Sequence, residues 1–484
     1  MDDDICRLPA SRLGELIRRR EVSPVALMRA VLARTGALQP VLNGFVSIFA
    51  AQATAEAAAA EAAVMRGDRL GLLHGVPCSV KDIVETAGQR TTFGSRLFAD
   101  NVPAADAEAV ARLRRAGAIV FGKTTTPEFG AKCLTDAPLF GRTRNAWSAA
   151  HTSGGSSGGA AVAVASGLGP IAVATDGGGS TRIPASCNGV VGLKQSLGVV
   201  PHSQVADAFG NYTYVTPMTR TVADTALMLQ AMAGPHASDP WSLGRTVPDY
   251  VAAAAGQGDL AGRRILVCAR PGGRKVAAEV AAAFDAALVT LAGLGATLAE
   301  MPPVDLDVEP VWRAINHTTW RARFADMAAR DGARMSPSLL RQLALAADVT
   351  GVDYQRAMFA RARLFRAVQE LFDAGDFLVM PTLTRTALPI GQELFEPIAI
   401  DDEVFDDLRP AWFPATMPFN LTGHPAVSLP MGFSAGGFGA EALPIGLQLV
   451  GRCHDEAGLL HVAALFEAAQ DWRGAWPEEP VAPG

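Results

Sequence analysis

The residues best placed to do chemistry fall in one stretch, 152–185, which reads TSGGSSGGAAVAVASGLGPIAVATDGGGSTRIPA. Hydrolysing an amide requires a nucleophile, a group that takes its proton, and donors aimed at the developing oxyanion. Gly177-Gly178-Gly179-Ser180 ends a run of bare backbone amides with a hydroxyl. Ser180 is therefore the candidate nucleophile, and Gly177, Gly178 and Gly179 are candidate oxyanion donors. Asp176 and Arg182 bracket the turn and either pin it as an ion pair or stay solvated. A Gly/Ser linker does not explain the stretch, because its clusters enclose a compact run of small residues and an apolar strand. A phosphate-binding loop does not either, because no Gly-Lys-Ser/Thr follows either cluster. The eight histidines are scattered and Ser180 lies outside any GxSxG, so nothing points to a Ser-His-Asp triad.

The elements that must position these residues alternate between strand and helix. Ser23-Pro24 reads as an N-cap followed by proline at the first helical position, ahead of an apolar stripe of Val25, Leu27, Met28, Val31 and Leu32. Residues 51–65 are Ala/Glu-rich and predict a second helix. Strands are predicted over 76–80, 118–121, 171–174, 264–268 and 377–380. Helices are predicted over 105–116, 221–232 and 275–294, with Thr221 and Asp224 spaced as a capping box. The alternation predicts an α/β fold: one large mixed, mostly parallel sheet covered by helices on both faces. Residues 393–418 lack periodicity and read as a surface excursion near the site or a connecting loop. No repeat or long linker divides the chain. The expected organisation is one domain over 1–484, with an N-terminal helical region (1–70), a chemical core (71–233) and a remaining core and pocket region (234–484).

Composition limits the partners. Over 484 residues the formal net charge is −6, which argues against nucleic acid or an anionic membrane surface as the main partner. No stretch reads as a membrane span, because the most apolar windows are short and broken by Gly and Pro. The start, Met1-Asp-Asp-Asp, is acidic where a secretory leader would be basic. Cys6, Cys78, Cys133, Cys187, Cys268 and Cys453 are widely spaced without a CxxC pair, so reduced thiols are expected, and neither a disulfide framework nor a metal site. A cytoplasmic enzyme follows as the expectation.

At this point the motifs resemble those of the amidase signature family. GGSSGG at 154–159 with DGGGSTRIPA at 176–185 is similar to its diagnostic stretch, and GVPCSVKD at 75–82 to its lysine motif. GKTTTPEFG (122–130), LFGRTRNAW (139–147), FNLTGHPAVSLPMGF (419–433) and LPIGLQLVGR (443–452) extend the likeness over nearly the whole chain. The resemblance implies a Lys, cis-Ser, Ser arrangement falling on Lys81, Ser156 and Ser180, with a cis peptide before Ser156. Ser156 would relay the proton of Ser180 to Lys81, and burial among neutral groups would keep that lysine unprotonated. Ser157 either supports Lys81 or caps the following helix. The resemblance also places Gly130 and Cys133 beside the nucleophile and Trp412, Phe413 and Asn420 near the substrate. It implies no cofactor, a small hydrophobic or aryl carboxamide as substrate, and a homodimer. Thr125 and Ala146 depart from the family's commonest Asn and Pro, which puts a pocket wall in question. Two rivals are the glutaminase subunit of a tRNA-dependent amidotransferase and a non-catalytic scaffold. Ile183 before Pro184, where that glutaminase generally carries Gln, weighs against the first. The presence of all three catalytic residues weighs against the second.

Overall fold

The computed structural model describes residues 5–434, 442–470 and 472–478. The acidic start and the end of the Pro-rich tail lie outside them. Eleven strands form one sheet: β1 (Phe45–Ile48), β2 (Pro77–Lys81), β3 (Ile119–Thr124), β4 (Ile171–Asp176), β5 (Val191–Lys194), β6 (Tyr214–Thr219), β7 (Arg264–Val267), β8 (Thr297–Glu300), β9 (Phe377–Pro381), β10 (Ala426–Phe433) and β11 (Pro444–Val450). Their spatial order is β1-β3-β2-β4-β6-β5-β10-β11-β9-β7-β8.

The large mixed sheet with helices is as expected, but its parallel share is smaller. Parallel pairing is confined to β2–β3, β2–β4, β7–β8 and β7–β9. The antiparallel pairs are β1–β3, β4–β6, β5–β6, β5–β10, β10–β11 and β9–β11. The sequence reading missed this because β1, β5, β6, β10 and β11 were not recognised as strands. Of these, β1 also interrupts the region read as helical before residue 71.

One parallel pair matters most for function. β2 and β4 run side by side in the register Cys78↔Ile171, Ser79↔Ala172, Val80↔Val173. Parallel neighbours end on the same side of a sheet, so Lys81 and Thr175–Asp176 emerge together at the carboxyl edge, where open α/β sheets form clefts. The helix Gly158–Ala165 packs beneath them with every residue buried. A Cβ on Gly159 would lie 2.4 Å from the Thr125 amide and one on Gly158 2.2 Å from Ser153 Oγ, so this helix is made of small residues because there is no room for others.

Local signals explain most boundaries. Ser23 Oγ accepts from the Ala26 amide at 3.1 Å with Pro24 at the first helical position, as expected. Thr221 caps its helix through the Asp224 amide at 3.2 Å, but the capping box is not reciprocal. The Asp224 carboxylate instead accepts from the amides of Ala10 and Ser11, both at 2.8 Å, capping a different helix, Ala10–Arg18. The helix predicted over 105–116 begins later, at Glu108, because Asp106 is drawn away to the Ala87 amide at 2.7 Å. Among the described residues one helix, Pro24–Leu42, is long and apolar enough to cross a membrane. It is half buried, and its Leu27, Met28, Val31 and Leu42 pack with Phe45, Ala57 and Val162.

Candidate active site

Lys81 ends β2 fully buried, with three hydroxyl groups around its amine: Ser156 Oγ at 2.7 Å, Ser157 Oγ at 2.8 Å and Thr175 Oγ1 at 2.8 Å. Burial drives the amine well below its ordinary 10.5, opposed by the negative charge of Asp176. Ser157 occupies the N-cap position of the helix Gly158–Ala165 but makes no side-chain capping bond. Its hydroxyl donates to the Thr175 carbonyl at 3.1 Å and accepts a hydrogen bond from the Lys81 amine at 2.8 Å, so its contacts support the lysine. The Gly155–Ser156 peptide is cis, as the family resemblance implied. The Ser157 amide donates to the Ser180 carbonyl at 3.2 Å and ties the two serine loops together.

The glycine turn is held by a buried ionic cluster. Asp176 and Arg182 are fully buried and pair through Nε–Oδ2 and Nη2–Oδ1, both 3.0 Å. Burial acts to raise the Asp176 carboxyl, but the Arg182 charge and the hydrogen bonds from Arg182 and Asn420 prevail and hold it at about 2. Asp176 also accepts from the amides of Gly179 at 2.6 Å and Thr181 at 3.2 Å. Gly179 is thus already committed and is corrected from oxyanion donor to anchor of the turn. Among the described residues the amides of Gly177, Gly178 and Ser180 have no acceptor.

The opposite groups of this turn are fixed from outside. Trp312 Nε1 donates to the Gly177 carbonyl at 2.8 Å and Thr416 Oγ1 to the Gly178 carbonyl at 2.7 Å. In a trans peptide the N–H points opposite to the C=O, so these bonds turn the Gly178 amide away from Trp312 and the Gly179 amide away from Thr416. The glycines are required here by packing. A Cβ on Gly178 would sit 2.9 Å from the Trp312 ring, and one on Gly179, where φ is +124°, 2.4 Å from Thr416 Oγ1.

Ser156, Thr175, Gly177, Gly178 and Ser180 border a cavity of about 280 Å3. Gly130, Cys133 and Phe413 line it as expected. Burial pushes the Cys133 thiol up to about 12, which keeps it protonated at neutral pH. Two expected wall residues do not reach the cavity. Trp412 is fully buried and turns its Nε1 to the Arg385 carbonyl at 3.2 Å. Asn420 is spent on the ionic cluster, donating to Asp176 Oδ1 at 2.9 Å and accepting from Arg182 at 2.6 Å. Thr125 and Ala146 are buried scaffold residues, bonded to Thr143 at 2.6 Å and to Asn188 at 3.0 Å, and do not border the cavity.

Several cavity residues escaped sequence reasoning. Trp312, Asn316, Trp320 and Arg323 lie on the helix Glu309–Asp331 at spacings of four, four and three, which place them on one face. That spacing was the available signal, though a buried core stripe has the same pattern. Thr175 precedes Asp176 by one residue and had no motif to mark it. Arg409 lies within the segment 393–418, as does Phe413, so part of that excursion does reach the site.

Comparison with known proteins relates the whole chain to one family. The model of the amidase family matches residues 26–460. An acylamidase of Rhodococcus erythropolis is 37% identical over 480 residues, covering 98% of each chain. A glutamyl-tRNA(Gln) amidotransferase subunit of Roseiflexus sp. (strain RS-1) is 35% identical, covering 98% of this chain and 99% of its own. Among solved structures, a bacterial aryl acylamidase of the amidase signature enzymes superposes with a TM-score of 0.88 at 28% identity, over 97% of this chain and 99% of that one. A 6-aminohexanoate cyclic dimer hydrolase with its substrate gives 0.85 at 28% identity, over 98% and 99%.

Proposed function

Since this chain belongs to the amidase signature family and is a hydrolase of carboxamide C–N bonds, we propose that Ser180 is its nucleophile and that Ser156 and Lys81 are its proton relay. The observation that carries this is the buried Lys81 amine, 2.7 Å from Ser156 Oγ, with Ser156 and Ser180 bordering the same cavity. A neutral amine has two protons and one lone pair. Ser157 donates its O–H to the Thr175 carbonyl and so accepts a hydrogen bond from one Lys81 N–H; Thr175 Oγ1 accepts from the other. The lone pair is left for the Ser156 hydroxyl.

The reaction then balances. Ser180 Oγ bonds to the substrate carbonyl carbon, its proton passes to Ser156, and the proton of Ser156 passes to Lys81. The oxyanion draws on the unpaired amides of Gly177, Gly178 and Ser180. On collapse the C–N bond breaks, the proton returns through Ser156 to the leaving amine, and the acyl group stays on Ser180. Water attacks that ester through the same relay.

The aromatic wall of Trp312, Trp320, Phe129 and Phe413 supports small aryl or hydrophobic amides, in line with the acylamidase and aryl acylamidase relatives. The glutaminase of a tRNA-dependent amidotransferase is the second reading, favoured by the 35% identity to such a protein; against it, the apolar Ile183 borders the cavity. We read the chain as one amidase unit, supported by the single sheet that runs from β1 to β8. The wide spacing of the cysteines, with no CxxC pair, supports a cytoplasmic setting, and a homodimer is the expected assembly. The test is labelling with a fluorophosphonate followed by peptide mapping. The adduct belongs on Ser180, and Ser180→Ala should be unlabelled and inactive while still folded. An adduct on another serine in the wild type overturns the assignment.

A further inference from the structure

Of the charged groups that border the cavity, two are ion-paired, while Arg323 is exposed and Glu85 half-buried. Asp176 is paired with Arg182, and Lys132 with Asp136. Arg409 is different. It borders the cavity at 2% exposure, and among the described residues its side chain has one hydrogen-bond partner, the neutral Gln342 Oε1. The carboxylates on the elements around it, Glu309 and Asp407, are both spent on Arg313. The guanidinium is instead flanked by aromatic rings, 5.9 Å from the centre of Trp312 and 5.8 Å from that of Phe395. Gln342 holds it in place and also donates to the Ala131 carbonyl at 2.9 Å, within the Gly130–Cys133 wall. One helical turn beyond Trp312, Asn316 contributes a second unanswered donor. Its Oδ1 accepts from Tyr212 at 2.6 Å while its buried Nδ2 has no partner.

Buried polar groups are normally satisfied, and a buried cation facing only a neutral acceptor is costly. Unanswered donors beside the rings of Trp312 and Trp320 point to an occupant that brings acceptors. We propose that Arg409 is a specificity-determining residue that binds a carboxylate carried by the amide substrate. This rests on the reading of the cavity as the acyl-transfer site. An arginine in a fixed fork suits a carboxylate, with two parallel N–H···O bonds.

The test measures release of the aromatic amine from two matched pairs: aniline from the first, 4-aminobenzoate or 4-aminoacetophenone from the second. Succinanilic acid against 4-oxopentananilide places the carboxylate or its ketone isostere on the acyl side. 4-Acetamidobenzoate against 4-acetylacetanilide places it on the amine side. In at least one pair the wild type should prefer the acid by about tenfold or more in kcat/KM, carried mainly by KM. Arg409→Gln should abolish that preference and Arg409→Lys, which keeps the charge without the fork, should retain part of it. If Arg409→Gln does not fold, judged by near-UV circular dichroism, the wild-type ratios and the lysine variant decide. Acid-to-ketone ratios at or below one in both wild-type pairs overturn the proposal, as does a preference that survives either substitution in full. Failure of the acyl-transfer reading looks different: no aromatic amine is released from any of the four amides, charged or neutral.

Discussion

Replacing Asp176 by Asn removes one negative charge from beneath the catalytic turn and leaves the side-chain shape unchanged. Asp176 Oδ1 accepts from Gly179 (2.6 Å), Arg182 Nη2 (3.0 Å) and Asn420 (2.9 Å); Oδ2 accepts from Thr181 (3.2 Å) and Arg182 Nε (3.0 Å). Asparagine keeps the acceptors on one side but turns an NH2 toward two donors on the other, and it strands the fully buried Arg182 cation. Breaking a buried pair from one side costs about 3–5 kcal/mol, and urea denaturation at pH 7 should show a loss of that order. The sign with pH follows from the depressed Asp176 carboxyl. The wild-type advantage is full above the ordinary 3.8 and fades as pH falls through about 2. The same charge favours protonated Lys81, so removing it lowers that lysine further and moves the acid limb of kcat/KM to lower pH. The reasoning is refuted if the variant is as stable as the wild type, or if the acid limb moves upward.

Two other substitutions probe the contacts one at a time. Thr175→Val removes the hydroxyl 2.8 Å from Lys81 and should lower kcat/KM roughly tenfold or more with little change in Tm; an unchanged kcat/KM denies that hydroxyl a role. Gly178→Ala puts a Cβ 2.9 Å from the Trp312 ring and should cost about 1–3 kcal/mol in urea denaturation. Trp312→Phe in the same chain should recover part of the loss, and no recovery would place the strain elsewhere.

How much of the site was legible in sequence depended on where the information was written. Lys81, Ser156 and Ser180 stand in local motifs, and the parallel pairing of β2 and β4 only had to bring those motifs together. Adjacency in a motif does not say which way a side chain faces, and this is why Trp412 and Phe413 divide. One turns to the Arg385 carbonyl inside the core, and its neighbour turns to the cavity. Asn420 failed for the same reason, since its partners Asp176 and Arg182 lie 244 and 238 residues away. Arg409 is held by Gln342, 67 residues distant, a contact no local pattern records. The antiparallel strands were missed because β10 and β11 are buried along most or all of their length and lack the in–out alternation of a half-exposed strand.

The central claim is that Lys81 acts as a neutral base, and single-turnover acylation across pH tests it most directly. In the wild type the acylation rate should rise with pH through a lysine lowered by burial, reach a plateau on the neutral-to-alkaline side, and belong to the coupled Lys81–Ser156–Ser180 group. In Lys81→Ala the rate should fall by several orders of magnitude and that limb should vanish. If the two proteins share the same pH dependence of acylation, another group is the base, and the relay described here is wrong even with Ser180 confirmed as the nucleophile.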